Sequence, residues 1–231
     1  MKAIIQAGGE GTRLRPITYE IPKPLIPVRK RAVIGHLIDL LRRHGVRDIA
    51  LIVAEKHKED FEAWLEREPE DVKKSVRLVV EPKPSGTFGW VRNLKEWLGD
   101  DSFILVNGDT LLDRDVRKLV EFHGGHGKTG TIALTRVPDP KQYGVALLEG
   151  ERIAGFLYNP ENPASDFISA GFHIFTPDVF RHDTGEDVLM IDDHLLPRLI
   201  EEGELMGKHI EGTRCYDCGT LERWEKAIKE W

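Results

Sequence analysis

A glycine-rich segment near the amino terminus contains the residue types best suited to bind phosphate. It reads Ala7-Gly8-Gly9-Glu10-Gly11-Thr12-Arg13 and follows the apolar run Ala3-Ile4-Ile5. Glycines after a first strand let backbone N–H groups approach phosphate oxygens, and a guanidinium binds those oxygens in bidentate fashion. Arg15 and Lys23 add positive charge shortly afterwards. We therefore predict a phosphate site here; the alternative is a tight turn with solvated arginines.

The spacing of the glycines excludes two common nucleotide-binding motifs. A G-x-G-x-x-G motif that began at Gly9 would need a glycine where Leu14 stands. A P-loop that ended in Gly127-Lys128-Thr129 would need a glycine in place of Phe122. The predicted phosphate site therefore depends on charged side chains as well as on backbone groups.

Two aspartates that stand close to glycines are the candidate metal ligands. Asp109 comes shortly after the apolar run 103–106, and Asp217 precedes Gly219-Thr220. Ligands of open α/β sheets bind at the carboxyl ends of strands, where Asp109 is expected. Two carboxylates are a common protein contribution to an Mg²⁺ ion that is shared with a triphosphate. For each aspartate the alternative is a strand-end turn or a helix cap.

The two cysteines, Cys215 and Cys218, form a C-x-x-C pattern that elsewhere provides half of a zinc site. The sequence has no second pair at a suitable spacing, so we expect reduced thiols and no zinc. His123 and His126 are separated by two glycines and are interpreted as part of a loop after a helix.

The elements that must position these residues alternate between strand and helix in the first half of the chain. Ile34, Leu37, Ile38 and Leu41 have helical spacing, and Gly45 is a plausible stop. Further helices are predicted around 57–68, 87–98 and 113–123. After about residue 130 the apolar runs are closely spaced, until helical spacing returns around 187–202. We predict one domain over 1–231, with an α/β fold, a doubly wound, mostly parallel sheet and a mixed second half.

The charge balance and the lack of long apolar stretches limit which classes of molecule the protein is expected to bind. The 231 residues carry 33 Lys plus Arg against 39 Asp plus Glu, a formal charge of −6, and the pI is near 5.9. This balance argues against a general nucleic-acid or membrane-surface binder. No stretch approaches the roughly 20 apolar residues that cross a bilayer, and the amino terminus lacks an apolar signal core. We expect a cytoplasmic protein with neither nucleic-acid nor membrane partners.

The glycine-rich segment continues as Leu14-Arg15-Pro16-Ile17-Thr18 and is followed by Ile21-Pro22-Lys23-Pro24-Leu25. This stretch resembles the signature of the nucleoside-diphosphate-sugar pyrophosphorylases, which join a nucleoside triphosphate to a sugar 1-phosphate. The resemblance extends over nearly the whole chain, through the short motifs Glu81-Pro82, Gly86-Thr87, Asn107-Gly108-Asp109, Tyr143-Gly144, Ala170-Gly171 and Asp217-Cys218-Gly219-Thr220. It implies a Rossmann-like nucleotidyltransferase fold in a monofunctional short form. The nucleotide-binding half would cover about 1–129 and the sugar-phosphate-binding half about 130–231.

The resemblance also implies roles for individual positions. Arg13 and Lys23 would be catalytic, and Asp109 and Asp217 would hold Mg²⁺. The implied nucleotide-binding positions are Ala7, Gly8, Gly9, Gly11, Thr12, Glu81, Gly86 and Thr87. The implied sugar-phosphate-binding positions are Tyr143, Gly144, Tyr158, Asn159, Ser169 and Gly171. The implied reaction is attack of a sugar phosphate oxygen on the α-phosphorus of the nucleotide, and it needs no general base because that oxygen is already anionic.

The nucleobase and the sugar are less well specified. Glu81 offers acceptors only, which suit the two adjacent donors of guanine and favour GTP; the alternative is a solvated charge at a strand end. Tyr158-Asn159-Pro160 stands where the family usually has Glu-Lys-Pro, and Ser169 replaces the usual Asn. Nearby cations such as Arg136, Lys141, Arg152 or Arg181 are candidates for the missing charge.

Several functions are compatible with these residues. The preferred one is a mannose-1-phosphate guanylyltransferase-like activity. The alternatives are a glucose-1-phosphate thymidylyl- or uridylyltransferase, a catalytically weak nucleotide-binding regulatory subunit, and transfer onto a non-sugar phosphate such as a phosphorylated polyol or choline. The sequence leaves homo-oligomer formation open.

Overall fold

Strands and helices alternate along most of the chain in the computed structural model, which describes residues 1–113, 115–209, 212 and 214–231. The strands are β1 Lys2–Gln6, β2 Pro27–Val28, β3 Arg31–Ala32, β4 Ile49–Ala54, β5 Val76–Glu81, β6 Phe103–Asn107, β7 Thr110–Asp113, β8 Gly130–Arg136, β9 Gly144–Glu149, β10 Arg152–Tyr158, β11 Phe167–Phe175, β12 Leu205–His209 and β13 Arg214–Asp217. The helices are α1 Val33–Arg43, α2 Lys58–Glu66, α3 Glu70–Lys73, α4 Gly86–Gly89, α5 Lys95–Leu98, α6 Val116–His126, α7 Leu196–Glu201 and α8 Leu221–Glu230. The predicted α/β class is confirmed.

The chain forms two compact units, and neither is continuous in sequence. The first unit consists of Met1–Pro84, Val106–Arg114 and Thr213–Trp231. The second unit consists of Ser85–Leu105 and Asp115–Gly212. Each unit is described by itself below.

In the first unit, β5, β4 and β1 lie side by side in that order and are parallel. The residues of β4 are buried from Ile49 to Val53, as expected for a parallel strand that is covered on both faces. Helix α1 buries the apolar positions that the spacing predicted, and it ends where Gly45 adopts a φ of +84°. The parallel strands and this helix confirm the sequence prediction for this stretch.

In the second unit, the strand order is β11-β8-β12-β10-β9, with an additional pairing of β9 with β11. Only β8 and β12 are parallel within this set, and the other pairings are antiparallel. The β9–β11 pairing joins the two ends of the strand order, so these five strands close on themselves in the manner of a small barrel. The sheet is therefore mixed, and the doubly wound arrangement stays a prediction.

Two predicted helices of the second unit are interrupted. The stretch predicted as one helix over 87–98 consists of α4, a 3₁₀ segment at Trp90–Leu94 and α5. The stretch predicted over 187–202 becomes helical only from Ile191. In the second stretch the cause is a backbone connection: the Leu189 N–H donates to the Ser85 carbonyl, and the Phe88 N–H donates to the Leu189 carbonyl, both at 2.8 Å. These bonds hold residue 189 outside any helix.

Within the described residues, no helix combines the length and the apolar character that crossing a membrane requires.

Two buried histidines of the second unit should make the protein sensitive to acid. Burial lowers the pKa of both His123 and His173 from 6.5 to about 4. The unfolded chain takes up these protons near pH 6.5, whereas the folded protein resists them, so the free energy of unfolding falls as pH decreases from about 6.5 to 4. Each group should account for about 3 kcal/mol at the acid end. Denaturant midpoints measured between pH 7 and 4 should fall less steeply for His173→Leu than for the wild type; equal slopes would contradict the assignment.

Candidate active site

The glycine-rich segment begins at the carboxyl end of β1, next to the ends of two neighbouring strands. The Ala7 N–H donates to the Ile52 carbonyl of β4 at 2.8 Å. A Cβ added to Gly8 would stand 2.9 Å from Oε2 of Glu81 and 3.4 Å from the Ala54 nitrogen. The three parallel strands thus bring Gly8 and Glu81 together, although Glu81 lies far along the chain. A side chain at position 8 would push against the Glu81 carboxylate.

The segment then turns back on itself at Gly11. Gly11 has a φ of +62°, and a Cβ there would stand 2.8 Å from Cγ2 of Thr18. The Thr18 hydroxyl donates to the Gly11 carbonyl at 2.8 Å, which fastens the turn. Leu14, three residues after Gly11, is fully buried in a cluster with Ile26, Leu111 and Cys218. Because Leu14 is anchored in the core, the exposed Arg13 is held at the surface immediately beside it.

A short antiparallel ladder brings the two aspartates together. Strands β7 and β13 pair with Asp217 opposite Thr110, the residue that follows Asp109. The Cys218 N–H donates to the Asp109 carbonyl at 3.1 Å and extends this connection. The two carboxylates are partly exposed, with 25% and 26% of their side-chain surface accessible for Asp109 and Asp217. Both candidate metal ligands therefore lie in the first unit and face the same small space.

Three cations surround this acid pair. The Lys23 ammonium donates to Oδ2 of Asp109 and lies 3.8 Å from Oδ1 of Asp217. Arg223, at the start of α8, pairs with the other oxygen of Asp217. A Cβ added to Gly219 would stand 2.7 Å from Oδ1 of Asp217 and 3.2 Å from Nη2 of Arg13. Lys23 is thus paired with both acids, and Arg13, the other predicted catalytic cation, lies beside Gly219 next to Asp217.

Arg223 was not among the site residues predicted from the sequence. The sequence does contain a signal for it, because Arg223 lies six residues after Asp217. When a helix begins soon after a strand ends, its first turn lies beside the end of that strand. The Thr220 side chain caps this helix by accepting from the Arg223 N–H at 3.3 Å. The cap orients the first turn of α8, so the Arg223 guanidinium reaches Asp217.

The donor chemistry of this site suits a hard divalent cation. Asp109 and Asp217 supply carboxylate oxygens, and the missing side chain of Gly219 leaves space against Oδ1 of Asp217. Among the described residues, no group of three or more His, Cys, Asp or Glu side chains is arranged to hold a metal ion. Two carboxylates without a complete protein cage match an Mg²⁺ ion that takes its other ligands from water and phosphate.

Cys218 lies beside the acids and is fully buried. Burial and the nearby charges of Asp109 and Asp217 raise the pKa of its thiol to about 12. With this pKa the thiol is protonated near neutral pH and is a poor nucleophile. Neither Cys215 nor Cys218 forms a disulfide within the described residues.

The predicted base-binding residues Gly86 and Thr87 belong to the second unit. Gly86 has a φ of +83°, and a Cβ there would stand 2.7 Å from the Leu189 carbonyl oxygen. The Thr87 hydroxyl accepts from the Ile191 N–H at 2.7 Å. Close packing of 86–89 against 189–191 thus requires glycine at position 86.

Asp192 lies in the same segment as Ile191. Burial, followed by the charge of Asp193, raises the pKa of the Asp192 carboxyl to about 6.

The six residues predicted to bind the sugar phosphate lie on, or next to, paired strands of the second unit. Tyr158 lies opposite Gly144 in the β9–β10 ladder, and the Asn159 N–H donates to the Tyr143 carbonyl at 3.0 Å. On β11, the Gly171 N–H donates to the Ser169 hydroxyl at 3.2 Å. The β9–β11 pairing, Ile168 opposite Val145, connects the two groups. Tyr158 is exposed, with 54% of its surface accessible.

Comparison with known proteins places this geometry in a family. The model of the nucleotidyl transferase family matches residues 2–230. A mannose-1-phosphate guanylyltransferase catalytic subunit beta of Danio rerio is 34% identical over 216 residues, which cover 92% of this chain and 59% of the relative. A mannose-1-phosphate guanyltransferase of Aspergillus fumigatus is 35% identical over 218 residues, with the same coverage. The chain thus spans about three-fifths of the length of these relatives.

Solved structures agree with this match. A Bacillus anthracis protein assigned as a glucose-1-phosphate thymidylyltransferase superposes with a TM-score of 0.90 at 26% identity, over 99% of this chain and 94% of that one. HddC of Yersinia pseudotuberculosis, solved in complex with GMP-PN, has a TM-score of 0.84 at 23% identity over 99% and 98% of the two chains, which supports the fold. Since a single family model accounts for nearly every residue and curated relatives share a third of the sequence, the protein belongs to the nucleotidyl transferase family.

Proposed function

We propose that the protein transfers a nucleotidyl group from a nucleoside triphosphate to a sugar 1-phosphate and releases pyrophosphate, with GTP and mannose 1-phosphate as the preferred pair. The observation that carries this proposal is the pairing of Lys23 with Asp109 and Asp217, with Arg13 beside Gly219 next to Asp217. These residues combine side chains that bind anions with two carboxylates that can bind a divalent cation. Bringing two polyanions together is the main difficulty of such a reaction, and this site is equipped to neutralise them.

The reaction proceeds by displacement at phosphorus. An anionic oxygen of the sugar phosphate forms a bond to the α-phosphorus, the bond from that phosphorus to the oxygen bridging the β-phosphate breaks, and pyrophosphate leaves with the electron pair. No proton transfer is required. Arg13 would hold the β- and γ-phosphates and the departing pyrophosphate, and Lys23 would hold the α-phosphate. Backbone N–H groups of Gly8, Gly9 and Gly11 would contact phosphate oxygens, with Ala7 and Thr12 flanking them.

Asp109 and Asp217 would hold the Mg²⁺ ion. When bound, the ion supplies positive charge that neutralises phosphate oxygens in the transition state. Alignment of the two substrates by the protein provides the remaining rate increase. In this proposal the doubly wound core belongs to the nucleotide-binding half, about 1–129, and Tyr143, Gly144, Tyr158, Asn159, Ser169 and Gly171 line the sugar-phosphate side.

The choice of GTP rests on Glu81 and on the relatives. The Glu81 carboxylate is buried beside Gly8, at the start of the glycine-rich segment, where it offers acceptors to the two donors of guanine. Two relatives are named for guanylyl transfer to mannose 1-phosphate, and HddC was solved with GMP-PN. Thymidine nucleotides are the second candidate, because the Bacillus anthracis structure is assigned as a thymidylyltransferase.

A substrate panel tests the proposed function. Each of the five common nucleoside triphosphates is incubated with Mg²⁺ and one phosphorylated acceptor, and pyrophosphate release is measured. The acceptors are mannose 1-phosphate, glucose 1-phosphate, a phosphorylated polyol and phosphocholine. We expect the highest kcat/KM for GTP with mannose 1-phosphate. A clear preference for dTTP would overturn the guanine assignment. Nucleotide binding without pyrophosphate release from any pair, including phosphorylated polyols and phosphocholine, would favour the regulatory-subunit alternative.

Lys141 is the best candidate to contact the phosphate of the sugar. Arg136 pairs with Asp166, Arg152 with Glu149 and Arg181 with Glu202. In the described part of the chain, the Lys141 ammonium has no such partner, and Lys141 lies two residues before Tyr143. We expect Lys141→Ala to raise KM for the sugar 1-phosphate about tenfold, because one charged contact is lost. KM for GTP should stay unchanged. Arg181→Ala is the matched control; a larger effect of Arg181→Ala on KM would contradict the choice.

A further inference from the structure

The Lys23 ammonium occupies the place that a divalent cation would take. It contacts Oδ2 of Asp109 and lies 3.8 Å from Oδ1 of Asp217, so it lies between one oxygen of each acid. The second oxygen of Asp217 is already held by Arg223. The oxygens nearest the Lys23 ammonium are therefore also the ones best placed to bind a metal ion.

The environment of Lys23 explains why it stays there without substrates. Only 11% of its side-chain surface is accessible, so the ammonium has lost most of its contact with water and needs the acids as partners. The two carboxylates are stabilised as well, because neighbouring like charges destabilise each other unless a cation lies between them. Pro22 and Pro24 on either side fix the backbone and limit where the side chain can go.

We infer that Lys23 acts as a placeholder for the cation: it competes with the metal ion for Asp109 and Asp217, and arrival of the ion releases it towards the α-phosphate. This inference deepens the proposed function and rests on it for the identity of the phosphate. A divalent ion and an ammonium cannot share the same two oxygens without strong mutual repulsion. Substrate phosphate gives the displaced ammonium a new anionic partner, so metal binding and phosphate binding would favour each other.

The competition predicts that removal of Lys23 tightens metal binding. Mn²⁺ is titrated into the protein without nucleotide, and free Mn²⁺ is measured by electron paramagnetic resonance. We expect Lys23→Met to bind Mn²⁺ about tenfold more tightly than the wild type, since a positive charge adjacent to the ion has been removed. Lys23→Arg keeps the charge and should stay close to the wild type. Lys74→Ala removes an exposed lysine of the same unit and controls for net charge.

A double variant shows whether the gain in Mn²⁺ affinity depends on Asp109. In Lys23→Met combined with Asp109→Asn, the tighter binding should disappear; if it persists, Mn²⁺ lies elsewhere and the inference fails. Equal or weaker Mn²⁺ binding by Lys23→Met than by the wild type also overturns it, as does the absence of binding by every variant at millimolar Mn²⁺. Circular dichroism verifies folding, and Lys23→Gln replaces Lys23→Met if that variant does not fold.

These results are separable from those of the substrate panel. Pyrophosphate release decides the proposed function, whereas the Mn²⁺ comparison contains no nucleotide or sugar. If the protein releases no pyrophosphate but binds Mn²⁺ more tightly without Lys23, the proposed function fails. The competition between Lys23 and the metal ion for the two acids is then still supported. An active enzyme with unchanged Mn²⁺ binding would overturn the placeholder role alone.

Discussion

Replacing Arg13 by alanine is expected to lower kcat about 10³-fold with the fold intact, because charge-stabilising arginines in phosphoryl transfer have effects of this size. Arg13 is exposed, so its loss removes little packing, whereas its neighbour Leu14 provides the buried anchor. The guanidinium lies beside Gly219, next to Asp217. Its charge would stabilise the pyrophosphate as negative charge accumulates on the leaving oxygens.

Steady-state pyrophosphate release by Arg13→Ala and by the wild type measures this effect, and thermal melting verifies the fold. Arg47→Ala provides the matched control, since Arg47 is also an exposed arginine of the first unit and lies outside the site. Arg47→Ala should have a kcat close to that of the wild type. If Arg13→Ala also had near-normal turnover, Arg13 would have no role in stabilising the leaving group.

Replacing Asp109 by asparagine is expected to lower kcat about 10²-fold or more and to raise the Mg²⁺ concentration needed for half-maximal rate. The substitution preserves the shape of the side chain but removes the charge that contacts Lys23 and would hold the ion. A metal ion contributes several kcal/mol to such transition states, and each 1.4 kcal/mol corresponds to roughly tenfold in rate. Asp217 alone would bind the ion less tightly.

The readout is the rate as a function of Mg²⁺ concentration, so loss of affinity is separated from loss of maximal rate. Asp100→Asn serves as the control, because Asp100 is an exposed aspartate on a loop of the second unit. Its Mg²⁺ dependence should match that of the wild type. An Asp109→Asn enzyme with an unchanged Mg²⁺ requirement would place the ion away from Asp109.

The sequence was sufficient to predict the elements that depend on local patterns. The apolar runs of the first half became the parallel strands β1, β4 and β5, and the spacing in α1 matched its buried face. The glycine-rich segment was predicted to follow β1, and it does. These features depend on periodicity and on the conformational freedom of glycine, both of which are visible in a single sequence.

The remaining features depend on contacts between distant segments. The ladder between β7 and β13 that brings Asp217 to Asp109 involves only four residues on each strand, too few to give a recognisable pattern. The family resemblance indicated both acids, but the Arg223 pairing appears only when α8 starts beside Asp217. The helix predicted over 187–202 becomes helical only from Ile191 because the backbone of Leu189 bonds to Ser85 and Phe88, an interaction that local propensity cannot report.

The most direct test is a crystal structure with Mn²⁺, a non-hydrolysable GTP analogue and mannose 1-phosphate, in which anomalous scattering locates the ion. We expect a peak within about 2.3 Å of a carboxylate oxygen of both Asp109 and Asp217, with Lys23 moved from Asp109 to the α-phosphate. A peak bound to neither aspartate, or Lys23 still on Asp109 with the nucleotide in place, would contradict the account.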